Sequence, residues 1–164
     1  MRQMNDFRAI LDAHHPILYK VARAYTDDDA DFDDLYQEML IQIWKAHRRF
    51  REESKLSTYL YRICLNTAMS WRRSETRRQE RVVRGDVEAM AATPNGDDAP
   101  SERQEALRRC IGRLNANDRS IILLHLDGVP YAQMAEILGL SESNVGVRLN
   151  RIRKALKHCI SHTS

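Results

Sequence analysis

Hydroxyl, amide and basic side chains recur near the end of the chain at a spacing that suits DNA binding. Within residues 141–156, Val145, Leu149 and Ile152 have the spacing of one apolar helix face. The opposite face carries groups that proteins use to bond base edges and phosphates. These candidate DNA-binding residues are Ser143, Asn144, Arg148, Arg151 and Lys154.

The residues before this segment favour DNA binding over a merely solvated helix. Cations near a helix C-terminus are favourable without any DNA, so the charges alone do not decide. Tyr131, Met134 and Leu138 predict a short preceding helix, Gly139 suits its end, and Ser141 can cap the next helix. A short helix, a tight turn and a second helix predict a helix-turn-helix, whose second helix enters the major groove.

A second cluster of chemical groups is acidic. Residues 26–38 contain seven Asp or Glu and no Lys or Arg. Such carboxylates could ligate Mg²⁺ in a nuclease or recombinase. Acids at a helix start are also favoured by the helix dipole, and no His, Ser or Cys accompanies them at catalytic spacing. We therefore expect no catalytic residue, no metal and no cofactor.

The composition predicts an all-α protein. Of 164 residues, 43% are hydrophobic and 30% charged, with only six Gly and four Pro. This length suits two small helical domains. The net charge of +3 does not by itself indicate a nucleic-acid partner, but residues 45–84 hold twelve Lys or Arg against four Glu. Since the chain has neither a long apolar run nor a signal-peptide core, we expect a cytoplasmic protein without membrane insertion.

Periodicity divides the chain into two helical regions. We expect an opening helix that Pro16 kinks or restarts, and a second helix over residues 31–49. A third helix should begin after a Ser57 cap and end near Arg73. The apolar face of the second helix is predicted to comprise Tyr36, Leu40, Ile43, Trp44 and His47.

A linker is expected between the two regions, because residues 78–101 lose periodicity and include ATPNGDDAPS. The predicted domains are therefore 1–77 and 102–164. In the second domain, one helix precedes another that Asn117 or Asp118 could cap. Cys64, Cys110 and Cys159 are odd in number and far apart, so we expect small apolar side chains without a disulfide or zinc site.

Motifs in both halves of the chain resemble those of one family. The first half contains DDLYQE, STYLYRICLN and the basic WRR, and the second contains YAQMAEILGLSESNVGVRLNRIRKAL. In this order they resemble regions 2 and 4 of the small extracytoplasmic-function (ECF, group IV) sigma factors of the sigma-70 family. The resemblance extends from about residue 6 to residue 157.

The resemblance implies a sigma factor that binds core RNA polymerase, recognises minus-10 and minus-35 promoter elements and promotes strand opening. It places the DDLYQE helix against the clamp helices of the largest polymerase subunit. Many relatives are held inactive by an anti-sigma factor, so such a partner is a further expectation. The implied polymerase-binding residues are Asp34, Leu35, Gln37 and Glu38, with a simple core position as the alternative for Leu35.

The resemblance also assigns the region from Phe50 to Arg73 to the minus-10 element. Opened DNA needs cations for its backbone and aromatic surfaces for its bases. Tyr59, Tyr61 and Trp71 are the aromatic candidates, although Trp71 shares the apolar face and is expected to be core. The implied minus-10 residues are Arg51, Lys55, Tyr59, Arg62, Asn66, Arg72 and Arg73.

The sequence departs from the family pattern at two positions. Tyr59 stands where relatives usually have Trp, and Gly146 replaces a Lys of the minus-35 helix. The glycine could allow close approach to the DNA backbone or mark a subfamily. The acidic linker residues Asp86, Glu88, Asp97 and Asp98 would run near the polymerase cleft, or serve only to solvate a disordered segment. A homodimeric operator-binding regulator is the competing interpretation.

Overall fold

The computed structural model describes the backbone of residues 2–82 and 101–163, which form helices joined by short turns. The chain divides into two compact units, one on each side of the expected linker. No strand occurs in the described ranges, in agreement with the predicted all-α class.

The first unit is built from α1 (Arg2–Tyr25), α2 (Asp29–Ala46), a 3-10 turn (His47–Arg49) and α3 (Leu56–Val82). The three α-helices pack on one another around a common core. At the centre of this core, Leu18, Tyr25 and Leu65 are almost fully buried. The unit therefore offers the outer faces of α2 and α3 to other molecules.

Helix α1 runs through Pro16 without restarting, so a restart at this proline is wrong, whereas a kink there stays a prediction. Proline has no N–H to donate to the carbonyl four residues earlier, which here belongs to Asp12. The His15 imidazole Nδ1 lies 3.5 Å from this same Asp12 carbonyl oxygen. Burial of Ile17 and Leu18 in the following turn holds the helix together beyond the proline.

The buried face of α2 differs from the predicted one. Leu35, Met39 and Ile43 are completely buried, whereas Trp44 is 38% exposed. Two overlapping sets of apolar residues fit the helical period, and packing against α1 and α3 selects the set that begins at Leu35. The correction matters for function because it brings Trp44 to the surface.

Helix α3 begins earlier and ends later than predicted. It starts at Leu56, with the Tyr59 N–H donating to the Lys55 carbonyl, so Ser57 lies inside the helix and does not cap it. It continues to Val82, inside the range expected to be linker. Residues 83–100, including the four linker acids, lie outside the described ranges.

The second unit contains α4 (Glu102–Gly112), α5 (Ala116–Leu126), α6 (Tyr131–Leu138) and α7 (Glu142–Ser161). Helix α7 packs on each of the other three, and its Val145, Leu149 and Ile152 are buried as predicted. The cap of α5 is Asn115, whose side chain accepts from the Asp118 N–H, and not Asn117 or Asp118. Arg119 is buried beneath the turn before α5 and donates to the Gly112 and Leu114 carbonyls.

Two of the three cysteines form a disulfide, contrary to the sequence-based expectation. Cys110 of α4 and Cys159 of α7 are bonded, with their Cα atoms 6.0 Å apart. Of the three cysteines, only Cys64 matches the prediction, because it is a buried free thiol in α3. Its burial raises the pKa of this thiol to about 12. No signal in the sequence indicated that Cys110 and Cys159 pair, because they are 49 positions apart and only the packing of α4 on α7 brings them together.

Candidate nucleic-acid and protein interfaces

Helices α6 and α7 form the predicted helix-turn-helix. Gly139 ends α6 with a φ of 67°, and the Leu140 N–H returns to the Ala135 carbonyl at 3.0 Å. A left-handed residue is the usual helix terminator, and glycine adopts it without a Cβ clash. Ser141 then caps α7 by accepting from the Asn144 N–H at 3.1 Å. These local bonds fix where the second helix begins.

The outward face of α7 carries most of the predicted DNA-binding groups. Ser143, Asn144, Arg151 and Lys154 are all exposed, and they follow one another along the helix surface. Val147 lies among them with 63% exposure, which sequence analysis missed. The sequence did offer a signal for Val147, because it is an apolar residue among polar neighbours on the helix. Such a side chain can contact the thymine methyl group in the major groove.

Arg148 differs from these neighbours because its guanidinium has a partner within the unit. Its Nη2 donates to the Asp118 carboxylate of α5 at 3.0 Å. Both side chains are only 22% exposed, so water screens this pair less than a surface pair. Arg148 therefore helps to fix α7 on α5, whatever contact it also makes with DNA.

Gly146 lies beside an aromatic ring of the preceding helix. A Cβ added at this position would meet the Tyr131 ring at 3.6 Å, which is ordinary van der Waals contact. The backbone of this glycine is helical, so the fold does not require glycine here. Close approach to the DNA backbone and a mere subfamily difference therefore both stay open as predictions for Gly146.

The first unit presents cationic groups along α3 and the loop before it. Arg51 and Lys55 are exposed in that loop, and Arg62, Asn66 and Arg73 are exposed along α3. Arg72 also lies on this helix and forms a long ion pair of 3.8 Å with Asp27. The predicted minus-10 residues thus include several accessible cations on the same unit.

The aromatic residues of α3 serve the fold more than was predicted. The Tyr59 hydroxyl donates to the Ala46 carbonyl at 3.1 Å, and its ring packs on Phe50 with centroids 5.1 Å apart. Tyr61 is 6% exposed, so it is core and offers no stacking surface. Trp71 was expected to be a core residue, but it is only half-buried.

An open groove of about 460 Å³ runs between α2 and α3. Glu38 and Gln42 line it from α2, and the Glu38 carboxylate accepts from the Gln42 amide at 2.7 Å. Asn66, Ser70 and Trp71 are among its lining residues from α3. The groove brings Glu38, predicted to contact polymerase, next to Asn66, predicted to contact DNA.

The outer face of α2 combines polar and apolar groups. Asp34 and Gln37 are exposed, but Leu35 has no exposed surface, which corrects its assignment as a contact residue. Ile41 and Trp44 are 46% and 38% exposed on this helix, and sequence analysis did not select them. Large apolar side chains beside exposed polar groups are typical of protein interfaces.

The acidic cluster before this face acts as a helix start. Asp28 caps α2 by accepting from the Asp31 N–H at 2.7 Å. Burial, followed by the negative charge of Asp28 and other nearby acids, raises the pKa of Asp31. Across the residues that the structure describes, no three His, Cys, Asp or Glu side chains are grouped to hold a metal ion. No described helix is long and apolar enough to cross a bilayer.

Comparison with known proteins identifies both units. Residues 10–78 match the model of Sigma-70 region 2, and residues 104–156 match that of Sigma-70, region 4. This chain belongs to the sigma-70 family. It is a promoter-recognising factor for transcription initiation.

Relatives place the chain among the ECF sigma factors. It is 29% identical over 141 residues to the ECF RNA polymerase sigma-E factor of Haemophilus influenzae, covering 79% of this chain and 75% of that protein. It is 28% identical over 147 residues to the probable RNA polymerase sigma factor RfaY of Xanthomonas campestris, covering 84% of this chain but 36% of that protein.

The fold also matches a solved structure. The sigma factor RpoE of Bartonella quintana, crystallised with the anti-sigma factor NepR, superposes with a TM-score of 0.77 at 24% identity. The match covers 95% of this chain and 97% of that one. Helices α1–α7 therefore have the fold of that solved structure.

Proposed function

We propose that this sigma factor works in the cytoplasm, without catalytic activity of its own, by binding core RNA polymerase and directing it to promoters with two separated elements. The minus-35 element is bound as duplex by the second unit, and the minus-10 element is opened on the first. The observation that carries this proposal is the presence of two different surfaces: a helix-turn-helix with an exposed polar face, and a separate unit with a cationic α3.

The polymerase-binding surface is assigned to the outer face of α2. Asp34, Gln37 and Glu38 supply polar contacts, and their acids suit a basic partner. Ile41 and Trp44 add apolar area of the kind that contributes most to protein association. Leu35 supports this face from the core.

The minus-10 surface is assigned to α3 and the loop before it. Arg51 and Lys55 are placed at the DNA backbone or bases near the loop, and Arg62, Arg72 and Arg73 along the opened strand. Asn66 can bond a base edge from the wall of the groove. Tyr59 acts mainly by holding the loop against α2, through its bond to Ala46.

The minus-35 surface is assigned to the exposed face of α7. Ser143, Asn144 and Val147 face base edges, and Arg151 and Lys154 face phosphates. Arg148 orients the helix through Asp118 and presents its remaining donors at the same face. An anti-sigma partner is proposed as well, since the Bartonella relative was crystallised with one.

The division of labour is tested with two charge reversals and a matched control. Asp34→Lys should lower retention by immobilised core polymerase at least tenfold, because it reverses charge in the proposed interface. Asp6→Lys, which reverses another exposed acid, on α1, should leave retention unchanged. Arg151→Glu should preserve retention while weakening binding of the assembled holoenzyme to promoter DNA.

Two results would contradict the assignment. One is equal retention of the Asp34→Lys and Asp6→Lys chains. The other is tight, polymerase-independent binding of the free chain to a palindromic site, which would favour the homodimeric regulator.

A further inference from the structure

The disulfide joins two elements of the DNA-binding unit. Cys110 lies in the last turn of α4, and Cys159 lies near the C-terminal end of α7, the helix whose earlier turns carry the proposed promoter contacts. In the cytoplasm, which is the compartment proposed above, disulfides are usually transient and redox-sensing. The bond is therefore a candidate for reversible chemistry.

The two sulfur-bearing residues differ in accessibility. Cys110 is 2% exposed, whereas Cys159 is partly exposed. Thiol–disulfide exchange requires a thiolate to reach one sulfur directly, so an incoming small molecule would react at Cys159. Cys110 then serves as the resolving partner from inside the unit.

A pocket of about 440 Å³ opens beside the bond. Arg113, His158 and His162 are among its polar lining residues, and Arg113 Nη1 lies 3.7 Å from the Cys159 sulfur. A guanidinium beside a sulfur stabilises its thiolate, and the same group attracts a carboxylate-bearing molecule. The pocket thus combines an accessible sulfur, a cation and open space for a small anionic ligand.

We propose that Cys110 and Cys159 form a thiol–disulfide exchange site whose substrate is a small anionic thiol and its disulfide. In the oxidising direction, the Cys159 thiolate attacks the small disulfide and releases one small thiolate. The Cys110 thiol gives up its proton to solvent and attacks the Cys159 sulfur, which releases the second small thiolate. The two protein thiols lose two electrons and two protons, and the small disulfide takes up the electrons.

This exchange would regulate the second unit, which is proposed to bind the minus-35 element. The exchange itself does not involve the residues proposed to contact the promoter. Oxidation ties the end of α7 to α4, and reduction leaves the two helices held by noncovalent packing, in which Ala106 and Leu156 are buried. The redox state of small thiols would therefore set how firmly the DNA-binding helix is held.

The test uses the full chain in buffers of graded ratio of glutathione to glutathione disulfide, followed by acid quench and mass spectrometry. The chain should pass from dithiol to internal disulfide as the ratio becomes oxidising. A chain that remains dithiol at every ratio, or that stays oxidised at every ratio, would overturn the proposal.

Single substitutions separate the roles of the two sulfurs and of Arg113. Cys110→Ser should accumulate a glutathione adduct on Cys159, whereas Cys159→Ser should accumulate little adduct on Cys110. In the Cys110→Ser background, where the adduct persists, Arg113→Gln should slow adduct formation about threefold, because a roughly tenfold loss of thiolate is partly offset by higher nucleophilicity.

Arg109→Gln is the matched control, since it removes an exposed cation from α4, the helix that Arg113 caps, and leaves the Arg113 contact to the Cys159 sulfur in place. Circular dichroism of each variant verifies folding. Equal adduct formation on the two cysteines, or equal slowing by the two arginine substitutions, would contradict the assigned roles.

Discussion

Arg148 lies on α7, the helix proposed to contact promoter DNA, but its guanidinium bonds to Asp118 of the same unit. The exposed cation Arg151 lies one turn further along α7. At the level of single residues, one basic side chain therefore supports the position of the helix while the other is available for phosphate. Sequence spacing placed both arginines on one polar face, and the family resemblance favoured Arg148 as the DNA contact because it stands at the Arg position of the motif.

The pair can be tested by a double-mutant cycle on the free protein. Asp118→Asn, Arg148→Met and their combination should give a coupling free energy of about 0.5–1 kcal/mol in chemical denaturation, because both groups are largely buried. Arg151→Met is the control and should change the free energy of unfolding by less than about 0.5 kcal/mol. Zero coupling between residues 118 and 148 would show that the ion pair contributes nothing to stability.

His125 provides a pH-dependent contact in the same unit. Its Nε2 lies 2.7 Å from Arg153 Nη2, and burial together with the Arg153 charge lowers the pKa of this imidazole. The unfolded chain therefore binds a proton at this imidazole more readily than the folded chain does. The contribution of neutral His125 to the free energy of unfolding is present above the ordinary imidazole pKa of about 6.5 and is lost as the pH falls below that value.

We expect the unfolding free energy of the wild type to decline more steeply than that of His125→Gln as pH falls from about 7 to 5. Denaturant titrations at several pH values measure both slopes, and the five other histidines are common to both chains. Identical slopes would show that His125 titrates alike in the folded and unfolded states.

At the scale of the elements, two glycines of the helix-turn-helix should respond in opposite directions. Gly139 has a φ of 67°, where an added Cβ is strained, so Gly139→Ala should destabilise by about 1–2 kcal/mol. Gly146 is helical with ordinary space around it, so Gly146→Ala should stabilise by up to about 1 kcal/mol. Thermal denaturation of the free chains compares them, and destabilisation at both positions would contradict the local geometry.

The Cys110–Cys159 disulfide, which joins α4 to α7, should make a large contribution to the free energy of unfolding of the second unit. Closing a segment of 49 residues restricts the unfolded chain, with an entropic stabilisation of up to about 4 kcal/mol. Adding a reductant should therefore lower the melting temperature of the wild type. The double variant Cys110→Ser, Cys159→Ser should melt at one temperature with and without reductant, and an insensitive wild type would show that the bond adds no stability.

Local signals in the sequence predicted the helix-turn-helix better than they predicted packing. Gly139 and Ser141 specify the end of α6 and the start of α7 through their own backbone and side-chain bonds. The buried face of α2 and the Cys110–Cys159 bond depend on neighbouring helices, and several patterns fit the same residues. Exposure of Val147 and Trp44 likewise becomes visible only after packing has selected which face is buried.

For the whole molecule, the two units carry different chemistry in one chain. The first combines an outer α2 face suited to a protein with an α3 face suited to an opened strand, and the second presents a helix suited to duplex DNA. A factor that places these surfaces on core polymerase would require both promoter elements for recognition. Neither unit alone would then specify a start site.

The most direct measurement is run-off transcription by purified core polymerase on a promoter library, with and without this protein. We predict new start sites that share two spaced sequence elements, and loss of these transcripts when either element is scrambled. Arg151→Glu should impair use of the upstream element most strongly. An absence of new transcripts, or start sites that need only one element, would contradict the account.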